Sequence, residues 1–237
     1  LRRRGLQRLH EKEDLRRVKL MWTNYPNMPT GAPGSPGLFS RLVTFAREHN
    51  ILLVNDNPYS FILNNEYHSL LSVKGAMDTA LELNSLSKSH NMAGWRIGMV
   101  AGCSEYIKTI LKVKSNMDSG MFLPMQLAAV EALQNPESWY DTVNLTYRER
   151  RVKAEAIMDL LGCRFNAEQT GLFLWGRLPD GSPGAEPFVD NILQKAHVFL
   201  TPGFIFGSRG EGYIRISLCA TGERLEEARQ RIEKLKL

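Results

Sequence analysis

Apolar and polar positions along the chain change period several times, and each change marks an element. "VKLMWTNY", from Val18 to Tyr25, reads as a strand after a polar opening that suits a solvated helix. "NMPTGAPGSPG" is a loop by its proline and glycine content. Ser35 and Pro36 then stand as N-cap and first residue of a helix reaching about Asn50, with Leu38, Leu42, Phe45 and Ala46 on one stripe. "ILLVND" is a continuous apolar run, the pattern of a strand buried on both faces of a parallel sheet. Another short strand ends near Ser85, and "RIGMVAG" is a further one.

Helices are predicted over Ser104 to Ser115 and Phe122 to Gln134. A long helix starts near Pro136 and stops at Gly162, a residue suited to the left-handed turn that closes helices. Past it, "GLFLWGRL", "HVFLTPG" and "GYIRISLC" read as strands, with a helix near Pro187 to Lys195 between the first two. The last helix opens at Thr221 and carries Leu225, Ala228, Ile232 and Leu235 on one face. The predicted fold is thus α/β, with a larger α/β part over residues 1–140 and a smaller α+β part over 141–237.

Composition changes this picture little. Hydrophobic residues make up 43% of the 237, enough for a sizeable core. The net charge is +5, and much of it lies in "LRRRGLQRLHEKEDLRR", where acidic residues are interleaved as on a solvated helix face, so no nucleic-acid partner is expected. Cys103, Cys163 and Cys219 are scattered and form neither a zinc pattern nor a disulfide framework; no metal site is expected. A reducing, cytoplasmic setting fits, and no apolar stretch has transmembrane length.

The candidate chemistry lies in four short stretches. Asp56 closes "ILLVND" at a strand's carboxyl end, where ligands of parallel α/β sheets gather; read alone, it is equally an aspartate capping a turn. Tyr59 follows three residues on, placed to share a pocket with it. Lys88 follows the next strand. In a desolvated pocket a lysine becomes a nucleophile for carbonyls, whereas in a loop it is only a solvated charge. Ser85 and Ser87 add hydroxyls, Arg96 has the planar fork that matches phosphate, and Gly94 and Gly98 permit close backbone approach. In "GYIRISLC", alternation puts Tyr213, Arg215 and Ser217 on one strand face; Arg215 there is either a carboxylate clamp or an edge charge.

Taken in order, "NYPNMPTGA", "DNPY", "SLSK" with "GWRIG", and "YIRISL" resemble the class I/II aminotransferases, fold-type I enzymes that use pyridoxal 5′-phosphate (PLP). The resemblance runs from about Val18 to the C-terminus. It implies a Schiff base between Lys88 and PLP, Asp56 paired with the pyridine nitrogen and Tyr59 donating to the ring's phenolate oxygen. It further implies Ser85, Ser87 and Arg96 around the phosphate, and Arg215 on the α-carboxylate of an amino-acid or 2-oxo-acid substrate. Two departures stand out. The family motif reads Asn-Asn-Pro-Thr-Gly where this chain has Asn27, Met28, Pro29, Thr30 and Gly31, so a thioether replaces a donor and Asn27 is the remaining amide to serve the cofactor. The glycine-containing phosphate loop and stacking aromatic of the family's N-terminal portion have no counterpart upstream of Leu20, so the chain is expected to be a C-terminal portion of a longer, homodimeric enzyme. A PLP-dependent carbon–sulfur β-lyase, or a non-catalytic module of the same fold, are the competing expectations.

Overall fold

The computed structural model describes residues 14–235. The predicted polar opening helix lies outside the described residues apart from its end, where Leu15–Arg17 forms one 3-10 turn capped by Asp14. The chain divides into two compact units. The first takes in the chain up to Pro26, Gly34–Ser60 and Asn65–Pro136; the second takes in Asn27–Pro33, Phe61–Asn64 and Glu137–Leu237.

The first unit is built on a four-stranded sheet in the order β1-β2-β3-β4. Strands β1 (Leu20–Asn24), β2 (Leu52–Asp56) and β3 (Ala80–Ser85) are parallel, and β4 (Gly98–Gly102) runs antiparallel to β3. Helix α1 (Pro36–Glu48) links β1 to β2 and opens as its sequence predicts: Ser35 Oγ accepts from the Leu38 amide at 3.2 Å, with Pro36 at the first position. Its buried stripe of Leu38, Phe39, Leu42, Val43, Phe45 and Ala46 packs with Ile51, Leu53, Leu70, Ala76 and Ala80. Leu53, Val54 and Asn55 are buried in succession on β2, as the unbroken apolar run requires of an inner parallel strand.

Strand β4 is shorter than "RIGMVAG". Ala93–Trp95 forms a 3-10 turn and Arg96 adopts φ +55°, so the chain reverses before pairing begins at Gly98. A Cβ at Gly98 would lie 2.7 Å from the Asn84 carbonyl oxygen, which explains the glycine there. Helices α3 (Ser104–Met117) and α4 (Leu123–Leu133) follow. Neither holds a buried residue, and Leu111, Val113, Met117, Phe122, Leu123, Leu127 and Leu133 are all exposed.

The longest stretch of the second unit opens with α5 (Glu137–Leu160), which stops ahead of Gly162 at φ +66°. Its antiparallel sheet has the order β5-β6-β8-β7: β5 (Arg164–Phe165), β6 (Phe173–Arg177), β7 (Thr201–Pro202) and β8 (Tyr213–Ser217). Helices α6 (Ala185–Ala196) and α7 (Gly222–Glu233) complete it, with Thr221 Oγ1 capping the Arg224 amide of α7. "HVFLTPG" is mostly not a strand. His197 closes α6 in a left-handed conformation, Phe199 is exposed, and only Thr201 and Pro202 pair with β8 before a 3-10 turn over Gly203–Phe206. Pro202 brings no amide to continue a ladder. No described helix is long and apolar enough to cross a membrane.

Candidate active site

Asp56 is the last residue of β2 and stands in register with Leu83 of β3. Strand β3 runs two residues further, to Ser85, and turns at once into the short helix α2 (Leu86–Ser89), which carries Lys88. The two strand ends stay tied beyond the ladder. The Asn57 amide donates to the Leu83 carbonyl at 2.8 Å, and Asn84 Nδ2 donates to the Asn57 carbonyl at 2.9 Å. The carboxylate and the amine therefore leave adjacent strands at the same edge of one sheet.

Each group has a local cause. Ser85 Oγ accepts from the Ser87 amide at 3.1 Å and donates to the Ile97 carbonyl at 3.3 Å, so it both starts α2 and ties it to the segment that bears Arg96. Leu86, Met92 and Ile97 form a small core against Met125, Ala128, Ala129 and Ala132 of α4, which fixes the turn holding Lys88. Lys88 itself is half-buried. Arg96 is exposed, donates from Nη1 to the Ala93 carbonyl at 3.1 Å, and holds a left-handed backbone unusual for a non-glycine residue. Such strained backbone is concentrated at functional sites. Gly94 differs from Gly98: nothing lies within 4 Å of a Cβ placed there, so close packing within the chain does not require it.

Asp56 receives Asn24 Nδ2 on its backbone carbonyl at 2.7 Å. Its carboxyl is exposed at the sheet edge, yet the surrounding protein removes enough water to raise its pKa above the ordinary aspartate value. Tyr59, half-buried, lies past Pro58 in the loop that leaves β2. Asp56, Tyr59, Ser85, Ser87, Lys88 and Arg96 thus all belong to the first unit.

Asn27 and Arg215 belong to the second. Asn27 Oδ1 accepts from Thr30 Oγ1 at 2.6 Å within a tight loop closed by the Gly31 amide on the Asn27 carbonyl at 2.8 Å. Arg215 shows the expected alternation, with Ile214 and Ile216 buried on the opposite face of β8. Its guanidinium lies 4.2 Å from the centre of the Phe173 ring and 4.6 Å from that of Phe206, and Nη1 donates to the Met28 sulfur at 3.3 Å. The two rings hold the guanidinium plane by cation–π attraction, and a thioether is a weak acceptor that a carboxylate oxygen readily displaces. Sequence reasoning missed Phe173 and Phe206, which no local pattern connects to Arg215. It also missed Glu82, a buried carboxylate beneath the site; the charge inside the apolar run "ALELNS" was the signal.

A primary amine, a carboxylate, two hydroxyls and a guanidinium all follow strands of one sheet whose first three strands are parallel, at the edge where ligands of such sheets gather. The model for aminotransferase class I and II matches residues 3–232, and the chain belongs to that family, whose enzymes are PLP-dependent. It is 42% identical to the LL-diaminopimelate aminotransferase of Aquifex aeolicus over 224 residues, which are 94% of this chain and 58% of that protein. Among solved structures it resembles the aromatic aminotransferase of Pyrococcus horikoshii, at 28% identity and a TM-score of 0.87, covering 97% of this chain and 62% of that one. It also resembles a probable N-succinyldiaminopimelate aminotransferase of Thermus thermophilus, at 34% identity and a TM-score of 0.85, covering 93% of this chain and 59% of that one. The chain thus spans less than two thirds of the length of these relatives.

Proposed function

We propose that the protein acts in a PLP-dependent aminotransferase that moves an amino group between an L-amino acid and a 2-oxo acid. The observation that carries this reading is the register of Asp56 with Leu83, which sets the carboxylate one strand away from the turn bearing Lys88. The groups fit the cofactor chemically. Lys88 supplies the amine for its aldehyde, Asp56 an anion for its ring nitrogen, Tyr59 a phenol for its ring oxygen, and Ser85, Ser87 and Arg96 donors for its phosphate. When bound, PLP supplies an electron sink for the carbanion formed at the substrate Cα.

The chain's own residues do the rest. Lys88 Nζ would serve as the base that takes the proton from Cα and as the acid that returns it two bonds away, across the substrate nitrogen. Asp56 holds the ring nitrogen's proton by its negative charge. Arg215 holds the α-carboxylate through two parallel hydrogen bonds, fixing which Cα bond breaks. Asn27 offers the loop's amide. The names of the relatives make LL-diaminopimelate the first amino donor to try. A homodimer in the cytoplasm is part of the same reading, on the strength of the family resemblance.

Borohydride reduction of the protein with PLP, followed by peptide mass mapping, tests the assignment. A pyridoxyl group on the peptide containing Lys88 supports it, and one on another lysine overturns it. Assays with LL-diaminopimelate and 2-oxoglutarate distinguish amino transfer from elimination, which releases ammonia without an acceptor.

A further inference from the structure

Below the site, on the face of the sheet away from Asp56, lies a buried polar cluster that the proposed chemistry does not use. Its centre is Glu82 of β3, only 9% exposed. Glu82 stands in register with Asn55, the residue before Asp56. Its Oε2 accepts from Asn55 Nδ2 at 3.1 Å and from the Leu70 amide at 2.8 Å, and its Oε1 accepts from Asn57 Nδ2 at 3.3 Å. Both residues that flank Asp56 are therefore held by one carboxylate.

The clamp extends in both directions. Asn55 is fully buried, and its Oδ1 accepts from Thr23 Oγ1 at 3.1 Å and from the Tyr25 amide at 3.0 Å; its Nδ2 also donates to the Tyr25 carbonyl at 3.2 Å. Asn57 Oδ1 accepts from Ser60 Oγ at 2.5 Å. Among the described residues no arginine, lysine or histidine forms an ion pair with Glu82. Its oxygens are matched by neutral donors alone, an arrangement that fixes geometry on both sides of one peptide segment. A buried carboxylate is a costly way to hold a strand end unless the position of that end matters.

We infer that Glu82 is a positioning residue for Asp56: by gripping Asn55 and Asn57 it sets where the Asp56 carboxylate stands at the sheet edge. The inference rests on the reading of Asp56 as the partner of the cofactor's ring nitrogen. Alternation along β2 turns Asn55 to the Glu82 face and Asp56 to the other, and Asn57, just past the strand, turns back to Glu82, so the grip reaches Asp56 through the backbone and leaves its side chain open. An amide at position 82 offers one acceptor where three donors converge, so at least one donor must turn away.

A double-mutant cycle on the full chain tests this, with PLP dissociation constants read by the cofactor's absorbance. Glu82→Gln is expected to weaken PLP binding about tenfold and to speed amide exchange at Asn57 and Leu70. Asp56→Asn is expected to weaken PLP binding at least as much. The double variant should bind no more than about twofold weaker than Asp56→Asn alone, because Glu82 acts through Asp56. Full additivity would reduce Glu82 to support of the fold and overturn the inference while leaving the proposed function standing. An Asp56→Asn variant that binds PLP as the parent does would sink both. If Glu82→Gln is recovered only as aggregate, Asn57→Ala carries the same cycle, with the same coupling expected and the same additivity overturning it.

Discussion

Asn144 offers the sharpest test of how the second unit is held together. It lies on α5, is 5% exposed, and serves two backbone groups of a loop distant in sequence. Its Oδ1 accepts from the Leu63 amide at 2.7 Å, and its Nδ2 donates to the Phe61 carbonyl at 3.0 Å. One turn earlier on the same helix, Tyr140 stacks on Phe61 with ring centres 5.1 Å apart. Leu63 meanwhile keeps φ +47°, a conformation a leucine holds only under constraint. Replacing Asn144 by Ala removes the partner of a half-buried donor and of a half-buried acceptor, at up to roughly 1–3 kcal/mol each. Relaxation of Leu63 returns about 1 kcal/mol, and the carbonyl, with two lone pairs, suffers less than the amide. The expected net loss is about 2–3 kcal/mol, read as a lower urea midpoint with an unchanged slope. Amide exchange at Leu63 should quicken by roughly 30-fold or more, since about 1.4 kcal/mol is a factor of ten. A Leu63 amide that exchanges no faster in the variant, with stability within about 0.5 kcal/mol of the parent, would refute the clamp.

Other expectations follow from single groups. Burial pushes the Cys163 thiol up to about 12 from 9.0, so at pH 8 its alkylation by iodoacetamide should be about a thousandfold slower in the folded chain than in urea, while exposed Cys219 reacts first; equal rates in the two states would refute it. His90 is buried and its pKa is lowered by desolvation, so the unfolded chain takes up a proton first as pH falls through about 6.5. Stability at pH 5.5 should therefore be lower than at pH 7.5, and His90→Gln should reduce that difference; an unchanged difference counts against it. Gly98→Ala forces a methyl against the Asn84 carbonyl and should cost about 1–3 kcal/mol, measured by thermal unfolding. Under the proposed function, Met28→Asn restores a donor near the ring oxygen and should lower the pH midpoint of the bound cofactor's absorbance; an unmoved midpoint removes Met28 from that role.

Much of this protein was legible along the chain because the signals were local. Ser35 and Pro36 opened α1 through a side-chain oxygen and a fixed φ, both properties of adjacent residues. The run at Ile51–Asp56 announced an inner strand, and Gly162 announced the end of α5. The order of four short motifs pointed to the family, because each lies within a few residues of one strand end or turn. Tertiary structure decided what no neighbour in sequence encodes. It set the register that puts Asp56 beside Leu83, and it reversed the chain at Arg96 so that β4 runs antiparallel. It reduced "HVFLTPG" to a two-residue pairing. It placed Phe173 and Phe206 against Arg215, and gathered Asn55, Asn57 and Leu70 around Glu82. Periodicity tells a side chain which face to take; only the closing of distant strands, where buried polar groups must find partners, tells it what it will meet.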